Sequence, residues 1–210
     1  MPSPTRGLTQ PQRLEISGRL LLEAAVELIA EKGWEATTAA EIGRRAGYSR
    51  AMVHARYGSK DVILETLFAT EYERKLSPAL DPESSGLQQA LAHVDRITEL
   101  YAEDPDLARA IFVLTFEAAK ATSPAGSRIR MWLERAAHTV EAGLRNGIAD
   151  GSVRPDIDVD RAVNDFGAAV LGTAYQWIMQ AYPYDMAQEM EYVRARLIRD
   201  YGSKRARRGQ

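Results

Sequence analysis

An all-α protein is predicted, and three observations predict it. Apolar residues recur at three- and four-residue intervals along nearly the whole chain, and no segment sustains the alternation of a half-buried strand. N-cap signatures precede the periodic runs: Thr38 with Glu41 three residues on, Asp104-Pro105 and Ser123-Pro124. Glycine or proline closes them, at Gly33, Gly47, Gly58, Gly151 and Pro183.

Residues 1–13 are rich in Pro, Ser, Thr and Gln and lack periodicity, so residues 1–16 read as a disordered lead-in. Ser17 is placed to cap a first helix whose stripe is Leu21, Ala24, Ala25, Leu28 and Ile29, ending at Gly33. Thr37 or Thr38 caps a short second helix that buries Ile42 and Ala46 and stops at Gly47. Ser49 caps a very short third one running through Arg56 and Tyr57 to Gly58. Ser59 then caps a long fourth carrying Val62, Ile63, Leu67, Phe68 and Tyr72.

Pro78, Pro82 and Ser84-Ser85-Gly86 make the clearest break, dividing residues 17–76 from a second domain over 77–203. Five longer helices follow. The first runs from about Leu87 to Glu103, and Asp104-Pro105 opens the next (Leu107, Ile111, Leu114). Ser123-Pro124 introduces a third (Ile129, Leu133, Ala136, Val140, Leu144), closed by Gly151 and Pro155. Asp158 caps a largely apolar one from Val159 to about Tyr182, and the last spans Asp185 to Tyr201. That makes nine helices. Residues 204–210, with Lys204-Arg205-Ala206-Arg207-Arg208, read as a loose basic tail.

Composition narrows the function. The 210 residues include no cysteine, which excludes a disulfide scaffold and thiolate-held zinc or iron–sulfur sites. No apolar stretch is long enough to span a membrane and no h-region follows Met1, so a soluble cytoplasmic protein is expected. The net charge of −2 is unevenly spread. Residues 1–60 carry nine basic and six acidic side chains, whereas residues 77–193 carry nine basic and eighteen acidic. Such a protein would touch a polyanion with one end rather than with its whole surface.

That end is Thr37 to Lys60. Two short helices joined by Gly47-Tyr48-Ser49 behind an amphipathic helix have helix-turn-helix anatomy, in which the second helix enters the major groove with its N-terminal residues leading. Thr37 and Thr38 stand at a helix start where free backbone N–H groups favour a phosphate. Arg50 begins the third helix and suits bidentate contact with guanine edges. Arg56 and Lys60 flank the same surface, and small side chains at Ala51 and Ala55 permit close approach. A helical hairpin with solvated charges has the same spacing.

Specific residues add a resemblance. Leu21-Leu22-Glu23-Ala24-Ala25, Gly33, Thr37-Thr38, Ile42, Ala46-Gly47-Tyr48-Ser49 and Tyr57-Gly58-Ser59-Lys60-Asp61 resemble, in order and without gaps, the tetracycline-repressor-like (TetR) family of transcriptional regulators. The resemblance implies a homodimer with N-terminal DNA-binding domains, a C-terminal ligand-binding domain, and an interface formed by the last two helices of each chain. It implies phosphate contacts at Thr38, His54 and Lys60, and base or groove contacts at Ser49, Arg50, Ala51, Met52, Ala55 and Arg56. Tyr57 belongs to the same surface and is expected to anchor the turn. Ala51, His54 and Arg56 depart from the family's usual Gly, Tyr and His or Tyr.

A sensor pocket is expected from His93, Ile97, Tyr101, Phe112, Thr115, Phe116, Trp132, His138, Tyr175 and Trp177, although aromatics at helical spacing also simply fill cores. The Val159–Tyr182 helix is apolar on more than one face and carries Gly167, Ala168, Ala169 and Gly172. With Met186, Met190, Val193, Leu197 and Ile198 of the last helix it is expected to form a self-complementary dimer patch. No metal, cofactor or catalytic motif is found: His54, His93 and His138 are scattered, and Asp156, Asp158 and Asp160 lack the other ligands of a calcium loop.

The reading is a dimeric regulator, a repressor released from a pseudo-palindromic double-stranded DNA operator by a small-molecule effector, with recognition helices about 34–36 Å apart. Two alternatives remain: a helical small-molecule carrier whose helix-turn-helix is only a scaffold, and an architectural DNA binder with no effector.

Overall fold

The computed structural model describes residues 9–120, 125–179 and 183–204. Ser123-Pro124, Tyr182, Arg205 to Arg208 and the first eight residues of the lead-in lie outside them. Among the described residues the single β feature is an isolated bridge between Val153 and Gly202.

α1 spans Gln10–Lys32 and so begins inside the expected lead-in. Thr9 and Gln12 form a reciprocal capping box with proline in the first turn, which satisfies the orphan N–H groups that otherwise fray a helix start. Ser17, read as the cap, is instead a buried mid-helix residue whose hydroxyl donates to the Leu14 carbonyl at 3.0 Å. The box needs no apolar stripe, so periodicity alone passed over it.

α2 (Ala39–Arg45) and α3 (Arg50–Tyr57) lie against α1 around Leu21, Ala25, Ile29, Ile42 and Val53, all buried. Thr38, not Thr37, caps α2 in a box with Glu41. α4 (Lys60–Leu67), a π-helical turn (Phe68–Tyr72) and α5 (Glu73–Leu76) make one continuous rod leading out of the first domain. The wider turn shifts the helical phase, so that Phe68, Tyr72 and Leu76 all face the core while Val62 stays exposed. With that rod counted once, nine helical rods are present among the described residues.

The second domain comprises α6 (Gly86–Glu103), α7 (Pro105–Glu117), α8 (Gly126–Asp150), α9 (Val159–Met179) and α10 (Met186–Tyr201). α6 crosses α8 where Gly86 meets Gly147 and Gly143 meets Ala90, so closely that a Cβ at any of the three glycines would strike backbone or a packed side chain. α7 docks on the end of α1: the Arg109 Nε–H donates to the Ala30 carbonyl at 3.0 Å, and Lys120 pairs with Glu35 at 2.9 Å. Met186, Met190, Val193, Leu197 and Ile198 are buried within the protomer, although Val193 and Leu197 still line an outer hollow beside Gly172 and Tyr192. Their stripe serves the chain's own bundle, against α6 and α9.

Candidate nucleic-acid interface and apolar cavity

The helix-turn-helix is held by local chemistry. Gly47 and Gly58 adopt φ of 78° and 72°, a left-handed geometry that favours glycine, at the two ends of the α3 unit. The Ser49 hydroxyl accepts the Met52 N–H at 3.2 Å, capping α3. Val53 alone on α3 is buried, while Arg50, Ala51, Met52, His54, Ala55 and Arg56 are exposed, as is Ser49. A helix of eight residues with one fully buried side chain presents most of its circumference outward. Tyr57 is half-buried, and its hydroxyl donates to the Gly18 carbonyl at 3.1 Å, tying α3 to α1.

Three expected contact residues are engaged within the protein. Thr37 is buried: its hydroxyl donates to the Gly33 carbonyl at 2.7 Å and its N–H to the Trp34 carbonyl at 3.1 Å. Thr38 is exposed, but its N–H and its hydroxyl both donate to Glu41, at 3.0 and 2.7 Å. The Glu41 carboxyl is itself pushed down to about 2, first by the Lys32 ammonium at 2.6 Å and then by Thr38. The N–H groups expected to be free at these threonines are therefore occupied. Lys60 turns inward, its Nζ donating to the Trp34 carbonyl at 2.5 Å and lying 4.4 Å from the centre of the indole ring. Partial burial lowers its pKa. Arg45 is held by Glu27 and Glu31 at 3.0 and 2.8 Å, whereas its neighbour Arg44 is exposed.

A cavity of about 520 Å³ opens among α6, α7, α8 and α9. Of the ten expected pocket residues it gathers His93, Ile97, Phe112, Thr115 and Trp132. The other five lie elsewhere. Tyr101 meets Trp177 edge-on at 5.3 Å, with the Arg109 guanidinium 5.7 Å from the same indole. Phe116 meets Tyr175 at 5.5 Å, and His138 is exposed on α8. All five sit at proper helical spacing but on faces turned away from the cavity. Leu133, Val163, Asn164 and Asp160 line it without having been expected there, because a helical stripe does not say which neighbour it will face.

Two features of this cavity stand out chemically. The Nδ1 of His93 is buried with no hydrogen-bond partner, and burial lowers the pKa of the imidazole. Behind the wall, Tyr72 of the π turn packs edge-on against Trp132 at 5.6 Å and shares a 3.0 Å hydrogen bond with Thr115. The Thr115 hydroxyl donates to the Ile111 carbonyl, so Tyr72 is the donor of that bond. The rod bearing the first domain thus ends against the cavity lining.

On the far side of α9, Gly172 faces open space beside Ala168, Tyr192 and Arg196. Tyr175 and Met179 are 49% and 62% exposed along the same helix, and Tyr192 of α10 is 59% exposed. Among the described residues no three His, Asp or Glu side chains are grouped to hold a metal, and no helix is long and apolar enough to cross a membrane.

Comparison with known proteins agrees with this geometry. Residues 21–67 match the model of the bacterial regulatory proteins, tetR family. The fatty acid metabolism regulator protein of Bacillus subtilis (strain 168) is 22% identical over 169 residues, covering 79% of this chain and 86% of that one. The HTH-type transcriptional repressor KstR2 of Mycolicibacterium smegmatis is 27% identical over 157 residues, covering 67% and 69%. The solved structure of the TetR family protein CprB from S. coelicolor A3(2) superposes with a TM-score of 0.72 at 21% identity, covering 93% of each chain, a likeness of fold.

Proposed function

We propose that this chain, a member of the tetR family of bacterial regulatory proteins, is a homodimeric transcriptional repressor that leaves its operator when a small molecule fills the cavity among α6, α7, α8 and α9. One observation carries the DNA-binding half: α3 fully buries Val53 alone and offers Arg50, Met52, His54 and Arg56 to solvent. Arg50, at the first turn, reads guanine edges. Ser49, Ala51, Met52, Ala55 and Arg56 approach the groove, and His54 the flanking phosphates, whereas Thr38 donates to a phosphate only by giving up Glu41. Tyr57 positions α3 through Gly18. Lys60 reaches a phosphate only by giving up Trp34.

The exposed side of α9, with Ala168, Gly172, Tyr175 and Met179, and Tyr192 of α10 form the two-fold interface that spaces the two recognition helices. Ligand in the cavity acts through Trp132 and Thr115 on Tyr72 and so on the rod carrying α3. Its effect on operator affinity is bounded by its differential affinity for the bound and released arrangements. The regulator and repressor names of the two relatives support this reading, under which the protein works where the operator DNA is, in the cytoplasm.

Fluorescence anisotropy with DNA from upstream of the protein's own gene tests it. Arg50→Ala is expected to weaken selective binding about 5- to 150-fold while helicity and dimerisation persist. Unchanged affinity would reject the groove assignment. Absence of any salt-sensitive selective binding would favour the carrier reading instead.

A further inference from the structure

We infer that the cavity among α6, α7, α8 and α9 takes an uncharged, largely apolar molecule bearing a hydroxyl that hydrogen-bonds His93 Nδ1, and that it rejects carboxylates. The inference rests on the reading of this cavity as the effector site, and names the chemistry of what enters it.

The walls are Ile97, Phe112, Trp132, Leu133, Val163 and their apolar neighbours, and no Lys or Arg lines them among the described residues. A carboxylate buried there would lose its hydration with no cation to replace it. The ionisable groups in the lining are His93 and Asp160. Asp160 lies in the exposed first turn of α9, where its charge opposes an entering anion. Apolar surface supplies the bulk of the contact, as the roughly 520 Å³ volume allows.

Asn164 also lines the cavity but is exposed to solvent, so polar selectivity in the buried part falls, among the described residues, to one atom. The Thr115 oxygen is already engaged by Tyr72 and Ile111. His93 Nδ1 is the buried polar side-chain atom of the lining left without a partner. Trp132 holds the imidazole ring edge-on at 6.2 Å. Burial keeps that ring neutral, so Nδ1 accepts or donates one hydrogen bond according to tautomer. A hydroxyl satisfies either tautomer. A deprotonated carboxylate satisfies only the donor, and brings a charge.

The test compares 1-decanol with decanoate, equal in chain length, at neutral pH. Isothermal titration calorimetry and operator anisotropy are run on the whole protein and on the His93→Leu and His93→Gln variants. Decanol is expected to bind and to release operator, and decanoate at the same concentration to do neither. His93→Leu is expected to weaken decanol binding about tenfold, and His93→Gln to retain part of it. Decanoate binding as tightly as decanol, binding of neither, or a His93→Leu variant that binds decanol unchanged would overturn the inference. Because the two probes are compared on the unaltered protein, the result stands even if a variant fails to fold. Decanol binding of the expected kind without operator release leaves the ligand chemistry supported and rejects the effector reading. Operator release by decanoate alone does the reverse.

Discussion

The backbone N–H of Trp34 donates to the Glu117 carboxylate at 2.8 Å, across the junction between the two domains. The Trp34 carbonyl accepts Lys60 Nζ at 2.5 Å, so one residue bonds the second domain through its donor and the start of α4 through its acceptor. The preceding Gly33 has φ of 82°, and a Cβ there would strike the Glu117 carboxylate. Three separate stretches of chain therefore converge where glycine both turns the backbone and leaves room for the acid.

Removing Glu117 should loosen this junction. Glu117→Ala leaves a partly buried N–H without its charged acceptor, a loss of about 1.5–3 kcal/mol. Urea unfolding is expected to show a lowered midpoint, and an unchanged midpoint would mean that the bond contributes nothing net.

Tyr72 and Thr115 offer a cleaner measurement. Thr115→Val keeps the shape but strands the buried Tyr72 hydroxyl, at a cost of about 1–3 kcal/mol. Tyr72→Phe removes the donor and the desolvation penalty together, so it should cost less. The double variant should resemble Tyr72→Phe. Strictly additive losses in denaturant titrations would contradict a direct bond.

Gly172 tests the dimer. No heavy atom lies within 4 Å of a Cβ built there, so the side chain of Gly172→Arg starts out into open space and the change improves helix propensity. Sedimentation velocity should show a folded monomer with weakened operator binding. A dimer of undiminished stability would move the interface elsewhere.

His93 sets a pH dependence. Burial lowers its folded pKa below the ordinary value of 6.5, so on acidification the unfolded chain binds the proton first. Stability from this group is therefore full above 6.5 and falls as the pH drops from 6.5 towards the folded value. The difference in melting temperature between pH 7.5 and pH 5.5 should be larger for the native protein than for His93→Gln. Equal differences would mean that the imidazole titrates as freely folded as unfolded.

The first domain was largely legible because its signals are local. Thr38, Ser49 and Ser59 cap their helices, Gly47 and Gly58 take the turns, and Val53 packs inward, each decided within a few residues of chain. The inward engagement of Thr37 and Lys60 is not legible in the same way. Trp34 lies 26 residues from Lys60 and reaches it through the packing of the first domain, and although Gly33 is only four residues from Thr37, a threonine or lysine looks the same in sequence whether it faces water or a carbonyl.

What the chain determines by itself is where helices start and stop and which stripe of each is apolar, because capping, φ preference and the 3.6-residue period act over a turn or two. Which body each stripe meets depends on how far every rod is rotated and displaced against its neighbours. That packing put His93 and Trp132 at the cavity but sent Tyr175 and His138 to the surface. It also folded the apolar side of α10 into its own protomer and left Gly172 facing outward.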